Sequence, residues 1–452
     1  MLRPHDEHPI VALASGSGPG AVGVIRLSGS QCWDVIKPCF GGKPVPTERL
    51  ASLRIFRDPK TSEIIDDLVI IYFKGPRSFT GQDTVELFCH GGPFIIQRIL
   101  GVLHSQGARP AVAGEFTKRA LLNGKLDLTA AEGIKDLVEA QSRQQWLAGR
   151  QLYSGKLKLQ IETLRKELIG AMAYLEAMID FPDEGDTQHV GLGQVRSRLK
   201  DVSSKLGALI STFQSGRVAS RGLMVAFAGA PNAGKSTLLN TLLEKQRAIV
   251  SPVAGTTRDY IEEACLIDGR LVRLVDTAGL RDTNDLVERE GVELSRKIMS
   301  EADVVISLNA TDSSDHEREE LAKITSSVSC PVLRVQTKAD QGTPAWATGM
   351  IQISCETGVG LAGLRETLAR LVDEHTGSLE EKPFLTSQRQ QSALAMAMTS
   401  LERFASQDKS GAGHEMLAFE LQEASRALSA VIGDVSHEDI LDKVFSEFCI
   451  GK

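Results

Sequence analysis

The sequence predicts two α/β modules together with a helical domain, and three observations support this fold class. Short apolar runs separated by glycine-rich turns fill residues 1–117, as in a sheet of short strands. Apolar residues three and four apart cover residues 118–220 and 377–452, which is helical spacing. Strand-like and helix-like segments alternate over residues 221–376, as in a parallel α/β domain. We therefore expect the second α/β module to be inserted into one discontinuous helical bundle.

The composition is that of a globular protein with several cores. The chain has 452 residues, of which 42% are hydrophobic and 24% are charged, so its length suits about two to four domains. The formal net charge is −7. A chain of this charge repels nucleic acid unless its basic residues gather locally.

The cysteines and the N-terminus indicate a cytoplasmic protein with reduced thiols. The seven cysteines include no C-x-x-C pair, which argues against a disulfide framework and a zinc site. Met1–Ile10 lacks the apolar core of a signal peptide, and no apolar run has the length of a membrane span. The cysteines are Cys32, Cys39, Cys89, Cys265, Cys330, Cys355 and Cys449.

The N-terminal module is predicted to contain strands joined by tight turns, with a helix over Phe94–Leu103. From the pattern alone, a structural or dimerisation domain is the simplest interpretation. The predicted strands are Ile10–Ala14, Val22–Leu27, Leu68–Phe73 and Thr84–Cys89.

The helical segments carry apolar stripes. One stripe ends before Phe181-Pro182, where proline stops a helix. Core packing in a bundle is the simpler interpretation of such a stripe, and a partner-binding face is the alternative. The first stripe is Leu157, Ile161, Leu164, Leu168, Met172, Leu175 and Ile179, and the second helical half supplies Ala393, Leu401, Phe404, Leu417, Leu421, Leu428 and Val431.

A phosphate-binding loop is predicted at Gly229–Ser236, which reads GAPNAGKS and fits G-x-x-x-x-G-K-[ST]. The apolar run Leu223–Ala228 precedes it as a strand, and Thr237–Leu243 follows it as a helix. These flanks argue against a chance glycine turn, because backbone N–H groups and the helix N-terminus then surround the phosphates. We expect Lys235 to reach the outer phosphates and the Ser236 hydroxyl to bind Mg²⁺.

Three further segments identify the base as guanine. Asp276–Gly279 (DTAG) follows a predicted strand and places a carboxylate near Mg²⁺, while Thr257 in Gly255–Asp259 (GTTRD) offers a second hydroxyl to the ion. Thr337–Asp340 (TKAD) follows the strand Val332–Gln336, and its carboxylate can accept two N–H bonds from guanine.

Ser354-Cys355 fits the loop behind the base, and Thr337 stands where most such proteins have Asn, so nucleotide affinity is expected to be modest. The predicted nucleotide contacts are Asn232, Ala233, Gly234, Lys235, Ser236, Thr237, Ser251, Thr256, Thr257, Asp276, Thr277, Ala278, Gly279, Thr337, Lys338, Asp340, Ser354 and Cys355.

Several stretches together resemble the MnmE (TrmE) family of tRNA-modification GTPases, from about residue 8 to the last residue. The C-terminal Cys449–Lys452 (CIGK) is the most specific of them in a chain with these GTPase motifs. The others are Val22–Gly29 (VGVIRLSG), Ser78–Gly81 (SFTG), His90–Pro93 (HGGP), Gly114–Thr117 (GEFT) with Arg119-Ala120, Asn123–Leu128 (NGKLDL) and Asp180–Glu184 (DFPDE).

The resemblance implies an N-terminal folate-binding domain, through which the chain forms a homodimer, a discontinuous helical domain and an inserted GTPase domain. It also implies a flavin-dependent partner, MnmG (GidA), in a heterotetramer or larger complex. Together they would add an aminomethyl or carboxymethylaminomethyl group at the 5-position of the wobble uridine of certain tRNAs. A 5-formyl- or methylene-tetrahydrofolate would supply the one-carbon unit.

By the same resemblance, the folate contacts would be Arg26, Glu86, Lys125 and Lys452. The cations suit a glutamyl tail and the carboxylate suits the N–H face of a pterin. Cys449 has two interpretations of equal weight, a thiolate for one-carbon chemistry and a small residue that packs a terminal helix.

GTP hydrolysis needs a substitute for the usual switch glutamine, because Leu280 occupies that position. The resemblance points to Glu288 for orienting water and to K⁺ for offsetting phosphate charge. A solvated helix charge is the alternative for Glu288, and a turn residue is the alternative for Asn232. The implied K⁺ ligands are Asn232, Ser251, Val253 and Thr256, and the implied Mg²⁺ ligands are Ser236 and Thr257.

Two other functions would share the GTPase motifs. One is a GTP-dependent assembly factor for ribosomal RNA, but the sequence shows neither a recognisable RNA-binding module nor a strongly basic stripe. The other is a dimeric switch without chemistry of its own. The C-terminal CIGK and the N-terminal motifs favour tRNA modification over both.

Overall fold

The computed structural model shows a chain that folds as two compact units. The first unit comprises residues 1–135 with 429–452, and the second comprises residues 136–428. The domain boundaries expected after residues 117, 220 and 376 stay a prediction. The residues that the structure describes are 8–16, 18–180, 185–243, 261–276, 296–377, 382–434 and 438–451.

The secondary structure of these residues follows the predicted order. The strands are β1 Ile10–Leu13, β2 Val22–Ser28, β3 Ser52–Arg57, β4 Ile64–Phe73, β5 Thr84–His90, β6 Arg109–Pro110, β7 Leu223–Gly229, β8 Ile261–Ile267, β9 Arg270–Asp276, β10 Val304–Ala310, β11 Val332–Thr337 and β12 Ile351–Gln352. The helices are α1 Cys32–Ile36, α2 Pro93–Ser105, α3 Glu115–Leu122, α4 Leu128–Glu139, α5 Arg143–Tyr153, α6 Lys156–Asp180, α7 Gly185–Ile210, α8 Phe213–Arg221, α9 Lys235–Leu243, α10 Asp315–Ser326, α11 Leu361–Thr376, α12 Gln388–Lys409, α13 His414–Ile432 and α14 Glu438–Ser446. Residues 296–301 are also helical, and short 3-10 helices form at Lys37–Phe40, Ala339–Gln341 and Ala345–Ala347.

The first unit is built on a six-stranded sheet in the order β3-β4-β5-β2-β1-β6. Its strands pair antiparallel, except that β1 and β6 are parallel. One face carries the core, where Leu68 and Ile70 pack with Ile99 and Leu103 of α2. The alternation of buried and exposed residues along β4 is the pattern of a sheet covered on one side.

The opposite face of this sheet reaches solvent at the edge strand β3, which the sequence analysis did not predict. Leu53 is 75% exposed and Ile55 is 43% exposed, although both are apolar. Apolar side chains exposed together on a sheet face mark a surface for association.

The second unit contains a six-stranded sheet in the order β12-β11-β10-β7-β9-β8. Neighbouring strands are parallel, except that β8 runs antiparallel to β9. Every residue of β10 and nearly every residue of β7 is buried, as expected for central strands with helices on both faces. The apolar run before the predicted phosphate loop is therefore a strand, as the sequence analysis expected.

The long helix α6 confirms most of its predicted stripe and corrects its C-terminal half. Leu157, Ile161, Leu164, Leu168 and Leu175 are buried as expected, and Ala171 and Met178 complete the buried face. Met172 and Ile179, predicted in the stripe, lie half-buried beside it. The buried residues alternate spacings of four and three, so the face follows a heptad and differs from the predicted stripe only at these two positions.

The C-terminal segments bury the apolar residues that the sequence analysis named. Each residue predicted for the second helical half is buried, from Ala393 in α12 to Val431 in α13.

None of the helices in the described ranges is both long enough and apolar enough to cross a membrane.

Candidate functional site

The phosphate loop begins where β7 ends at Gly229 and closes where α9 begins at Lys235. Asn232 and Gly234 have φ values of 64° and 86°. These left-handed conformations reverse the chain, so that successive backbone N–H groups can face one anion. A side chain at Gly229 would come within 2.7 Å of the Leu308 carbonyl oxygen, so the loop lies directly against β10.

The side chain of Lys235 is buried and folded into this loop. Its ammonium donates hydrogen bonds to the carbonyl oxygens of Gly229 at 2.7 Å and Ala230 at 2.8 Å. A cation held over loop amides is positioned to interact with a polyphosphate.

Ser236 and Asp276 meet at the end of the sheet. The Ser236 hydroxyl donates to the Asp276 carboxylate at 2.9 Å, and Asp276 is the last residue of β9. A hydroxyl and a carboxylate at the start of α9 are oxygen ligands of the kind that Mg²⁺ binds. Across the described part of the chain, no cluster of three or more His, Cys, Asp or Glu could hold a metal.

The segment Thr337–Asp340, predicted to contact guanine and called the base loop below, is joined to the phosphate loop through Thr337. Its buried hydroxyl donates to the carbonyl oxygen of Ala233 at 2.8 Å. Gly234 lies opposite, since a Cβ built there would sit 3.8 Å from the Thr337 side chain. Threonine lacks the second polar group of an asparagine amide. The Thr337 side chain therefore contributes this one hydrogen bond to the contact between the two loops.

Side-chain and backbone contacts both hold the base loop in place. Lys338 has a left-handed φ of 56°, and its ammonium lies 3.1 Å from both carboxylate oxygens of Asp312. That ammonium lowers the pKa of the Asp312 carboxyl. The Ala339 N–H donates to the Ile353 carbonyl at 3.1 Å, and Asp340 is exposed in the following 3-10 turn.

Ser354 and Cys355 lie in the loop that this backbone bond attaches. Ser354 is buried, and its hydroxyl accepts the Thr357 N–H at 3.2 Å. Cys355 is half-buried, and burial raises the pKa of its thiol. A side chain at Gly360 would overlap the Gln352 carbonyl oxygen, so glycine is required where the loop closes.

Two polar residues that the sequence analysis missed support the base loop. The buried Gln336 amide donates to the Thr311 hydroxyl and to the Gly342 carbonyl, both at 2.8 Å. The Thr311 hydroxyl in turn donates to the Lys338 carbonyl at 2.8 Å. The only signal in the sequence was a glutamine in an apolar strand.

In the first unit, Arg26 and Glu86 form an ion pair across β2 and β5. The Arg26 Nε donates to Glu86 Oε1 at 2.9 Å, and a second guanidinium nitrogen lies 2.8 Å away. The guanidinium lies 5.4 Å from the centre of the Phe79 ring and 5.7 Å from that of Phe116. The structure therefore brings together two of the predicted folate residues and places two aromatic rings against one of them, Arg26.

Lys125 lies on a neighbouring loop. Its ammonium donates to the Pro76 carbonyl at 2.8 Å, and Asn123 donates to the Thr80 carbonyl at 2.7 Å. A Cβ at Gly81 would come within 2.9 Å of Asn123. These contacts fix the segment that carries Phe79.

The C-terminal tail returns to the first sheet. Cys449 is exposed, and its carbonyl accepts the Gly114 N–H at 3.4 Å. Ile450 forms an antiparallel bridge with Ala113, and a side chain at Gly451 would overlap the Leu13 carbonyl oxygen. Cys449 therefore lies beside the start of α3, the helix that carries Phe116.

A buried charge network next to this tail was also missed from sequence. The fully buried Glu115 carboxylate accepts from Arg109 at 2.6 Å and from Arg119 at 3.0 Å. It also accepts the Val112 N–H at 2.9 Å, and Arg119 donates to Gln82 at 2.9 Å. Removing one member would leave an uncompensated buried charge, so this network fixes the start of α3.

Several predicted site residues lie outside the described residues. They are Ser251, Val253, Thr256, Thr257, Thr277, Ala278, Gly279, Glu288 and Lys452. Two predicted contacts are exposed, Asn232 within the phosphate loop and Thr237 directly after it.

Comparisons with known proteins identify the family. The sequence model described as the MnmE helical domain matches residues 128–449, and the one described as the GTP-binding protein TrmE N-terminus matches residues 9–125. The chain is 40% identical to the tRNA modification GTPase MnmE of Bradyrhizobium sp. (strain ORS 278), with 100% of both proteins covered. It is 38% identical to that of Syntrophus aciditrophicus (strain SB), over 98% of this chain and 99% of that protein.

Among solved structures, the chain is similar to the G domain of the T. maritima FeoB iron transporter. That likeness has 23% identity and a TM-score of 0.26, and it covers 33% of this chain and 98% of that one. With 38–40% identity over nearly full-length relatives, the chain belongs to the MnmE (TrmE) family of tRNA modification GTPases.

Proposed function

We propose that the chain hydrolyses GTP and, with a flavin-dependent MnmG partner, adds a (carboxymethyl)aminomethyl group to the wobble uridine of certain tRNAs. The observation that carries this proposal is the match to MnmE proteins over nearly the whole chain. It is supported by the contacts that join the phosphate loop, Asp276 and Thr337 into one nucleotide site. The expected location is the cytoplasm.

For GTP binding, the chain supplies donors to the phosphates and an acceptor to the base. Lys235 would exchange the carbonyls of its own loop for phosphate oxygens, which carry more charge. Asp340 is exposed at the base loop, where its carboxylate would accept the N–H groups of guanine. Lys338, Ser354 and Cys355 would border the base.

Two cations would complete the hydrolytic site. Ser236 and Thr257 would hold Mg²⁺ with Asp276 nearby, and the ion would neutralise phosphate charge. Asn232 would hold K⁺ with backbone carbonyls near Ser251, Val253 and Thr256. K⁺ suits such a set because carbonyl oxygens tolerate loose geometry.

Glu288 would orient the attacking water through a bridging solvent molecule, because Leu280 cannot. Offsetting charge on the transferring phosphoryl group by preorganised cations is the largest catalytic term available to such a site. The contacts with phosphate would therefore strengthen most in the transition state.

Folate would bind in the first unit beside the Arg26–Glu86 pair. Arg26 is partly exposed and flanked by two aromatic rings, which suits a flat pterin with polar edges. Lys125 and Lys452 would meet the anionic glutamyl tail. Cys449 is exposed on the adjoining tail, and it is a candidate for one-carbon chemistry.

A homodimer would use the open face of the first sheet. Exposed Leu53 and Ile55 are apolar side chains on that face, and a second copy of the sheet would bury them. A two-fold dimer, in which identical faces of two copies pair, is the commonest arrangement that buries such a surface.

The deciding experiment is nucleoside analysis of tRNA from cells that lack this protein. Absence of the modified wobble uridine, restored by the wild-type gene but not by a Lys235→Ala gene, is the expected result. Normal wobble uridine modification in the deletion strain would refute the proposal.

A further inference from the structure

An exposed stripe on α5 combines aromatic rings with basic side chains. Trp146 is 42% exposed and Tyr153 is 55% exposed, while Arg143 and Arg150 are also exposed. The spacings of three, four and three residues place all four side chains within one narrow sector of the helix. Ala148 and Leu152, on the other side of the helix, are buried.

The stripe has a preformed stacking unit. The Arg150 guanidinium lies 5.2 Å from the centre of the Trp146 ring, which is cation–π distance. A guanidinium stacked on an aromatic ring keeps its edge N–H groups available to a phosphate. The Trp146–Arg150 pair therefore offers both a π surface and a phosphate donor at one place.

The surrounding charge is positive in a chain that is negative overall. The chain carries a net charge of −7, yet residues 140–161 contain no Asp or Glu. The same range holds Arg143, Arg150, Lys156 and Lys158, of which Lys158 lies 3.8 Å from the carboxylate of Glu162. This local excess of positive charge gives the attraction for a polyanion that the protein as a whole lacks.

The helix beneath the stripe is rigidly anchored. A capping box between Ser142 and Gln145 fixes the start of α5, and Gln145 also donates to the Ser220 carbonyl of α8 at 3.1 Å. At Gly149 a side chain would come within 2.7 Å of the Leu137 nitrogen, so the helix packs directly on its neighbour. The exposed rings thus stand on a fixed support, as recognition surfaces require.

We propose that the stripe Arg143–Trp146–Arg150–Tyr153 is a docking surface for tRNA. This inference rests on the proposed function, because it names where the nucleic acid substrate would bind. Unpaired bases stack on exposed aromatic side chains while arginines contact the phosphates. The stripe is about 15 Å long at 1.5 Å per residue, which spans about four nucleotide steps of a stacked strand at 3.4 Å each.

The test is a binding titration of the full-length protein with a labelled tRNA transcript that carries uridine at the wobble position. Trp146→Ala and Tyr153→Ala should each weaken binding about fivefold to a hundredfold, and the double variant should weaken it further than either single one. Arg150→Ala should weaken it and lower the salt slope by about one unit. GTP hydrolysis without tRNA should keep its wild-type rate in each variant, because α5 contributes no residue to the nucleotide site.

A matched control lies on the neighbouring helices. Arg198 stacks on Tyr174 at 5.4 Å, but its guanidinium pairs with Glu167 at 3.2 Å. The variant Tyr174→Ala/Arg198→Ala removes one aromatic ring and one guanidinium from a neutralised site, so it should bind tRNA like the wild type. A Trp33→Phe/Trp346→Phe variant leaves Trp146 as the only tryptophan, and tRNA should quench its fluorescence.

Three results would overturn the assignment. If the wild type binds tRNA and Trp146→Ala/Tyr153→Ala binds it equally well, the docking surface is refuted and the proposed function is not. A variant that loses the flavin-dependent partner but keeps tRNA affinity would identify the stripe as a protein interface. Absence of tRNA binding by the wild type, alone and with its partner, would overturn the proposed function and this surface together.

Discussion

The Thr337 hydroxyl donates a hydrogen bond of 2.8 Å to the Ala233 carbonyl and so connects the base loop to the phosphate loop. Both groups are buried, and the two residues are separated by 104 positions in the sequence. The bond links the position of the predicted base loop to that of the phosphate loop. Loss of the Thr337 hydroxyl would therefore weaken the binding of a nucleotide that contacts both loops.

The Thr337 contact predicts the effect of an isosteric substitution. Thr337→Val keeps the shape but leaves the Ala233 carbonyl unpaired in a buried place, which costs about 1–3 kcal/mol. We expect GTP affinity to fall about tenfold or more, measured by titration with a fluorescent GTP analogue. Thr337→Ser retains the hydroxyl and should bind nearly as well as wild type, and a Val variant of unchanged affinity would contradict the role of the bond.

Base specificity is predicted to depend on Asp340. Asp340→Asn replaces an acceptor by a donor and should favour xanthine over guanine nucleotides. The measurement is competition between XTP and GTP, with Asp315→Asn as a control because that carboxylate is exposed on α10. Full retention of the preference for GTP would exclude residues 337–340 as the base reader.

The folate site makes a prediction that separates the two units. Arg26→Ala removes the cation between Phe79 and Phe116 and should weaken binding of 5-formyltetrahydrofolate at least tenfold, measured by calorimetry. GTP hydrolysis should be unaffected, because the nucleotide site lies in the other unit. Arg98→Ala is the matched control, since Arg98 pairs with Glu63 on the same unit.

Removal of Lys452 should likewise weaken folate binding and spare GTP hydrolysis. A deletion variant that titrates folate like the wild type would remove Lys452 from the site.

The cation mechanism predicts much faster hydrolysis in KCl than in NaCl at matched ionic strength. Na⁺ is smaller than K⁺ and would not contact all the oxygens of a shell formed by Asn232 and the backbone carbonyls. Glu288→Ala should slow hydrolysis strongly and leave GTP binding nearly unchanged, as for a group used mainly in the transition state. Equal rates in the two salts would refute the K⁺ role.

The assignment of Glu288 has its own control. Glu319→Ala removes an exposed carboxylate from α10 and should turn over normally. Normal turnover by Glu288→Ala as well would remove that residue from the mechanism.

Cys265 predicts a pH dependence of stability. Burial raises the pKa of its thiol from 9.0 to about 11. Below pH 9 the thiol is neutral in the folded and the unfolded chain, so pH has no effect through it. As pH rises from 9 to 11, the unfolded chain loses a proton that the folded chain keeps, and the free energy of unfolding falls by about 1.4 kcal/mol per pH unit.

Alkylation followed by mass spectrometry checks this difference. At pH 8 the exposed Cys449 should react rapidly, whereas Cys265 should react only after unfolding in urea. Rapid labelling of Cys265 in the folded protein at pH 8 would contradict the raised pKa and the burial of its thiol.

The nucleotide site was predictable because its parts are local in sequence. The phosphate loop needs only a strand, a glycine turn and a helix within about twenty residues, and each has its own composition signal. The segments with Asp276 and Thr337 follow buried strands of a parallel sheet. Strands of this kind end on the same edge, so sequence order alone indicated that these residues converge.

Elsewhere the sequence signal was weak because exposure depends on neighbours. Strand β3 was missed because Leu53 and Ile55 face solvent while Arg54 and Arg57 lie between and beside them, which hides the alternation of a one-sided sheet. In α6, Met172 and Ile179 fitted the helical spacing, but Ala171 and Met178 are the residues that are buried. A small residue gives little hydrophobic signal although a helix can approach it closely.

The sequence by itself determined the fold class, the family and the chemistry of the phosphate loop, since these depend on motifs whose residues are adjacent in the chain. The tertiary structure alone decided that Thr337 meets Ala233, that Phe79 and Phe116 flank Arg26, and that α5 gathers two rings and two arginines on one face. Contacts between distant segments follow from how buried faces pack, and packing is a property of the whole chain.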